Sequence, residues 1–280
     1  MKIEVLSQGY VKLIETYGSD NSILEAARQS TQNPTGVDEK ADDNLRRYLW
    51  RNQHNTPFEF AGMVIEVQLP LFVARQWQRH RTFSYNEFSA RYSKMQETYY
   101  VPSRERMTQL LEQGDIHNKQ AGGETAISKG DPDKLLQSMG DISKEAYKVY
   151  CELLQKGVSR EIARCVLPAS WYTRMRVSGN LLNWLKFIKL RNDSHAQYEI
   201  QMYAKAVKQL LEQQFPKTLE LFADYTEQSV VFSGKAWEVI VKELESNSGL
   251  RDKILHSLQQ ELSTGDYKAF VKAFNPSLKE

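Results

Sequence analysis

Apolar and polar positions alternate most regularly at Met63, Ile65, Val67 and Leu69, with Val64, Glu66 and Gln68 between them. A period of two predicts a strand with one buried face. Two shorter strands are predicted over 3–6 and 10–14, on either side of Gly9, and another over 171–178. Helical spacing takes over elsewhere. Ile23, Leu24 and Ala27 predict a short helix within 22–31, and Ala41, Leu45, Tyr48 and Leu49 predict a core-facing stripe on a helix across 37–53. Pro57 forbids that helix from continuing. Pro70 opens a turn or two of helix over 71–78. Asp141 reads as the N-cap of an amphipathic helix carrying Ile142, Ala146, Val149, Tyr150, Leu153 and Leu154, closed by Gly157. Ser159 starts a second short helix, Leu181 to Leu190 marks a third, and Ile200, Tyr203, Val207 and Leu211 mark a fourth that ends at Pro216.

Two regions differ from this mixture. Residues 103–140 are polar and punctuated by Gly114, Gly122, Gly123, Gly130 and Pro132, which predicts a surface insertion. Residues 229–280 carry three apolar stripes, around Trp237 and Val241, Leu255 and Leu258, and Phe270 and Phe274. They predict a helical extension whose stripes need a partner surface. The expected organisation is a main domain over 1–228, containing the insertion, followed by the extension 229–280.

At 280 residues the chain is long enough for one large domain or two small ones. Its formal charge of +2 demands neither a nucleic-acid nor a membrane partner. Positive charge is concentrated instead at 75–91 and 160–191, which suits a small anionic ligand. The two cysteines, Cys151 and Cys165, and the lack of an apolar N-terminal segment predict a cytoplasmic chain without structural disulfides. No apolar run reaches the length of a membrane span.

The densest chemistry lies in Arg79-His80-Arg81-Thr82-Phe83-Ser84-Tyr85-Asn86-Glu87-Phe88-Ser89-Ala90-Arg91-Tyr92. Arginine forks fit phosphate and carboxylate oxygens, hydroxyls add phosphate ligands, and flat aromatics can stack on a heterocycle. Solvated arginines whose stems pack on rings would have the same composition. The order of the residues discriminates. Arg-His-Arg, seven residues, then Ser89 resembles the motif of flavin-dependent thymidylate synthases, and so do His54-Asn55-Thr56-Pro57-Phe58-Glu59, the segment from Arg160 to Pro168, and Leu190-Arg191-Asn192-Asp193-Ser194-His195. These resemblances cover roughly 1–102 and 141–228.

The resemblance implies an α+β fold, with an antiparallel sheet flanked by helices, and a homotetramer whose active sites gather residues from several subunits. It implies methylation of dUMP at C5, with 5,10-methylenetetrahydrofolate as carbon donor, FAD as hydride carrier and NADPH as reductant. Gln76, Arg79, Glu87, Ser89, Arg91 and Arg164 would bind dUMP, with Ser89 and Arg91 on its phosphate. Ser30, His54, Thr56, Arg79, His80, Arg81, Glu87, Asn180 and His195 would contact FAD. Arg191 would polarise the uracil, replacing the thiolate of non-flavin synthases. Read alone, Arg191 would be a residue suited to the helix dipole, and His54 a structural histidine. Cys165 neighbours Arg164, but adjacent helical residues point about 100° apart, so it is not expected to act as a nucleophile. No metal is expected, because His80 has no second ligand at metal-binding spacing. Leu182 and Lys186 stand where the family has an arginine and an asparagine that meet the flavin. The rival readings are a dUMP or dCMP hydroxymethylase and a non-catalytic nucleotide- or RNA-binding protein.

Overall fold

The structure is a computed structural model describing residues 1–29, 38–113 and 130–274. The strands are β1 (Lys2–Val5), β2 (Gly9–Tyr17), β3 (Gly62–Pro70), β4 (Ser84–Glu87) and β5 (Tyr172–Asn180). They form one antiparallel sheet in the order β1-β2-β3-β5-β4. The helices are α1 (Asp20–Arg28), α2 (Glu39–Arg51), α3 (Leu71–Trp77), α4 (Arg104–Gln113), α5 (Pro132–Gln155), α6 (Arg160–Ala163), α7 (Leu181–Arg191), α8 (Tyr198–Gln214), α9 (Pro216–Phe222), α10 (Gly234–Ser246), α11 (Ser248–Glu261) and α12 (Thr264–Phe274). The expected α+β class is the observed one.

Residues group into two compact units, Met1–Ser22 with Phe58–Pro216, and Ile23–Pro57 with Lys217–Glu280. In the first, Met63, Ile65, Val67 and Leu69 are fully buried, as their alternation requires. Their register partners on β5, including Met175 and Val177, continue the same buried face. Helices α3, α7 and α8 pack on this sheet. Trp77 stacks on Phe187 at 4.4 Å and meets Trp184 edge-on at 6.4 Å, so α3 and α7 are locked together by rings.

Strand β4 was not expected. Ser-Tyr-Asn-Glu has no buried side to alternate, because it is the sheet's edge, and its partner β5 supplies the order. Gly179 explains how the loop before β4 comes so close. A Cβ there would lie 2.2 Å from the Phe83 ring, which sits 4.3 Å from that of Trp184.

Helix α5 begins ten residues earlier than expected. Asp131 is its N-cap, accepting from the Asp133 amide at 3.0 Å, and Pro132 occupies the first turn. Asp141 is therefore interior and Ile142 is exposed. Gly130 and Pro132 read as punctuation of a surface insertion, but Pro132 opens the helix, and Gly140 in its interior costs only about 1 kcal/mol. The closing Gly157 has φ +84°, the left-handed geometry of a helix end. The insertion is not wholly superficial either. On α4, Arg106 lies over the Tyr198 ring at 4.8 Å and 3.9 Å from Glu199, both side chains being largely buried. Residues 114–129 of the insertion lie outside the described residues.

In the second unit, the buried face of α2 is Asp42, Arg46 and Leu49, whereas Ala41 and Tyr48 are exposed. The apolar stripe misidentified this face because Asp42 pairs with Arg28 and can then be buried. Helices α10, α11 and α12 fulfil the expected helical extension. Asp266 of α12 accepts from Arg51 at 2.6 Å and also from Tyr225 and Ser263.

Candidate active site

The Arg-rich stretch runs from the end of α3, along edge strand β4, and into a turn beside α6. Its backbone is pinned at several points. The His80 amide donates to Trp77 O at 2.9 Å, and the Tyr85 hydroxyl donates to His80 O at 2.8 Å and Trp77 O at 3.1 Å. At the far end of β4 the Phe88 amide donates to Arg174 O at 2.8 Å. Burial raises the Tyr85 pKa to about 12, so its hydroxyl stays a donor.

A cavity of about 330 Å³ brings together Glu87, Ser89 and Arg164, walled by Leu71, Phe88, Leu167, Trp171 and Thr173. That volume lies at the small end of ligand pockets, roughly 300–1,000 Å³. Glu87 is held on both oxygens, by the Thr173 hydroxyl at 2.6 Å and the Gln78 amide at 3.2 Å. The Ser89 hydroxyl accepts from the Arg91 amide at 3.3 Å. Arg91 donates to the Glu161 carboxylate at 3.1 Å, and Arg164 donates to the Glu161 backbone carbonyl at 3.3 Å. Glu161 thus pairs with Arg91, not with Arg164 three residues along. A smaller cavity, about 120 Å³, shares the Phe88 wall and is lined by Lys94 and Arg174.

Arg191 is the last residue of α7, where the helix dipole favours a cation. Its Nε donates to His80 Nε2 at 3.0 Å and one terminal nitrogen donates to Gln76 O at 2.9 Å. The Gln76 side chain hydrogen-bonds to Gln197. Burial and then the Arg191 charge lower the His80 pKa to about 4. Burial also lowers that of Arg191. Below neutral pH the acceptor nitrogen therefore stays bare long after a free imidazole would have charged.

The arrangement lines a cavity with Glu87, Ser89 and Arg164, and holds a partly desolvated cation at Arg191. The Thymidylate synthase complementing protein family model matches residues 12–217. A flavin-dependent thymidylate synthase of Thermotoga neapolitana is 41% identical over 225 residues, covering 80% of this chain and 95% of that one. The chain belongs to the flavin-dependent thymidylate synthase family. A synthase of the same name from Rickettsia typhi is 34% identical and covers 97% of this chain and 93% of its own, so that match extends into the C-terminal helices. Among solved structures, a UMP/dUMP methylase from Streptomyces cacaoi bound with 5-Br dUMP is 34% identical, with a TM-score of 0.70, covering 80% of this chain and 98% of that one. A second structure of that methylase, bound with 5-Br UMP, gives a TM-score of 0.67 at 33% identity.

The family motifs sort by position. Gln76, Arg79, His80, Arg81, Glu87, Ser89, Arg91, Arg164, Asn180, Arg191 and His195 all belong to the first unit. His54 and Thr56 belong to the second, where both are exposed and His54 meets the Tyr48 ring edge-on at 5.5 Å. Ser30 lies outside the described residues. Arg79 and Arg81 are exposed and, among the described residues, in no ion pair. Asn180 uses its side-chain oxygen to cap α7, accepting from the Asn183 amide at 2.9 Å. His195 is exposed and its Nδ1 lies 2.8 Å from Asp193. Leu182 is buried in the core and Lys186 is exposed. Cys165 is also exposed, its thiol 3.8 Å from Glu161 O. The supporting residues Gln78, Thr173 and Gln197 were not foreseen, and Glu161, which spacing would give to Arg164, supports Arg91 instead. Each is a polar side chain on a different segment, and only the fold brings them to their partners. Among the described residues no helix is long and apolar enough to cross a membrane.

Proposed function

We propose that this chain converts dUMP to dTMP by reductive methylation at C5, with 5,10-methylenetetrahydrofolate as carbon donor, FAD as hydride carrier and NADPH as reductant. The observation that carries this reading is the convergence of Glu87, Ser89 and Arg164 on one mononucleotide-sized cavity, in a chain whose Arg191 is held by neutral acceptors. Ser89 and Arg91 hold the phosphate, and Gln76, Arg79, Glu87 and Arg164 complete the dUMP contacts. Arg191 stabilises negative charge as it develops on the pyrimidine, which makes C5 nucleophilic without a thiolate. His54, Thr56, Arg79, His80, Arg81, Glu87, Asn180 and His195, with Ser30, form the FAD contacts. FAD held by these residues, once reduced by NADPH, would supply the hydride that completes the methyl group. The working form is a cytoplasmic homotetramer, built on a domain over 1–228 with a C-terminal extension.

An anaerobic visible spectrum tests this directly. A flavin band that bleaches with NADPH, faster when dUMP is present, followed by dTMP formation on adding methylenetetrahydrofolate, is the expected result. Failure to bind FAD in a titration would sink the reading and return RNA binding to consideration. The Streptomyces cacaoi methylase bears UMP in its name, which favours a second reading in which UMP is also methylated. Product analysis with UMP in place of dUMP decides that, and a hydroxymethylated product would instead identify the hydroxymethylase reading.

A further inference from the structure

We propose that His80 is a positioning residue: a neutral acceptor that aims the Arg191 guanidinium at the pyrimidine without cancelling its charge. This rests on the role given to Arg191 above. A carboxylate would also hold an arginine, but it would neutralise the potential that the substrate is meant to feel. The two acceptors that hold Arg191, His80 Nε2 at 3.0 Å and Gln76 O at 2.9 Å, carry no charge. The contrast lies within the same chain, where Arg91 is held by the Glu161 carboxylate.

The imidazole is itself fixed. The Phe187 ring meets it edge-on at 5.0 Å, the Phe83 ring is 6.3 Å away, and its backbone is bonded on both sides. Accepting at Nε2 requires the proton to sit on Nδ1. The charged group facing His80 from another element is Arg191 of α7. Arg79 and Arg81 flank it in its own loop, and Phe83 and Phe187 are apolar. Protonating His80 would place a second cation against Arg191 and remove the acceptor. With a pKa near 4, the contact is complete at neutral pH and is lost only as pH falls through about 4. The same sign holds for stability. The unfolded imidazole takes up a proton near pH 6.5 and the folded one does not, so stability falls as pH drops from about 6.5 towards 4.

The test compares full-length H80A and H80Q with the unaltered holoenzyme, with R191A alongside. Glutamine can place an uncharged oxygen near the position of Nε2. We expect H80A to lower kcat by about 10–100-fold, on the scale of one lost hydrogen bond to a charged group, and H80Q to recover most of that loss. Both variants are assayed at saturating FAD, with FAD affinity read by fluorescence titration, because His80 is also among the proposed flavin contacts and the loss of its bond to Arg191 must be seen apart from any weakening there. Nitrogen-15 NMR of the histidines in the flavin-free protein should show His80 with its proton on Nδ1 and no titration down to pH 5. A proton on Nε2, ordinary titration near pH 6.5, or H80Q as impaired as H80A would overturn the proposal, as would a loss explained by FAD release. If R191A itself turns over normally, the Arg191 reading fails instead. If R191A collapses while H80A does not, only the role of His80 falls.

Discussion

Two arginines of the same unit show how differently one side chain can be used. Arg191 is half-buried at a helix end, bonded to an imidazole and a carbonyl. Arg91 is 55% exposed and bonded to a carboxylate that is itself 49% exposed. Burial weakens the case for a charge unless something holds it, and neutral holders leave its field intact. Exposure makes the Arg91–Glu161 pair worth little to stability, about 0–1 kcal/mol. It leaves Arg91 free to exchange Glu161 for a phosphate, because the exchange replaces one solvated anion by another. The first environment suits an arginine that acts on a reacting ring, and the second suits one that captures substrate.

The sharpest way to break this comparison is to remove the buried partner. R191A should lower kcat by about 10²–10³-fold, the range for deleting one preorganised donor, while FAD remains bound. Single-turnover kinetics with a flavin spectrum checks both halves. Turnover near that of the unaltered protein would show that the desolvated arginine is structural. The next largest effect should come from the cavity. R164A should raise the KM for dUMP by about 10–100-fold, the value of one charged hydrogen bond, with a smaller change in kcat. A kcat loss without a KM change would place Arg164 on the wrong side of the comparison.

A third substitution tests the scaffold that both arginines share. G179A puts a methyl where the Phe83 ring lies 2.2 Å away, so the ring, and with it the Arg79–Arg81 loop, must move. Overpacking of this kind costs about 1–3 kcal/mol. Thermal unfolding should show the loss, and activity should fall with it, because the displaced loop carries Arg79, a proposed dUMP contact. An unchanged melting temperature would mean that Phe83 is not the clamp on this loop.

The sequence revealed what depends on local pattern. The alternation at Met63–Leu69 announced β3, the ordered spacing of Arg79, His80, Arg81 and Ser89 announced the family, and the apolar spacing of α7 and α8 announced the helices that pack on the sheet. Illegible were features decided by a distant partner. Strand β4 exists because β5 pairs with it, not because Ser84–Glu87 prefers extension. The buried face of α2 was misidentified because Asp42 is neutralised by Arg28, which is not visible in an apolar stripe. The start of α5 was missed because Gly130 and Pro132 read as breaks in a polar insertion, whereas Asp131 caps the helix and Pro132 sits in its first turn. In the site, Glu161 could be paired by spacing with Arg164, yet the fold gives its carboxylate to Arg91, 70 residues away.

That last pair supports the smallest and most discriminating prediction. E161Q removes the charge that occupies Arg91 but keeps the shape of the side chain. If Glu161 merely stores Arg91 until phosphate arrives, losing a competitor should tighten dUMP binding, by no more than about fivefold, given that exposed pairs are worth about 1 kcal/mol or less. The gain should shrink as salt rises, because both the pair and its replacement are solvent-screened. Unfolding temperature should barely move. Calorimetric titration of dUMP at two salt concentrations reads the effect. Weaker binding in E161Q would mean the opposite arrangement, in which Glu161 holds Arg91 in its binding pose, and the exposed arginine would then be preorganised in the same sense as the buried one.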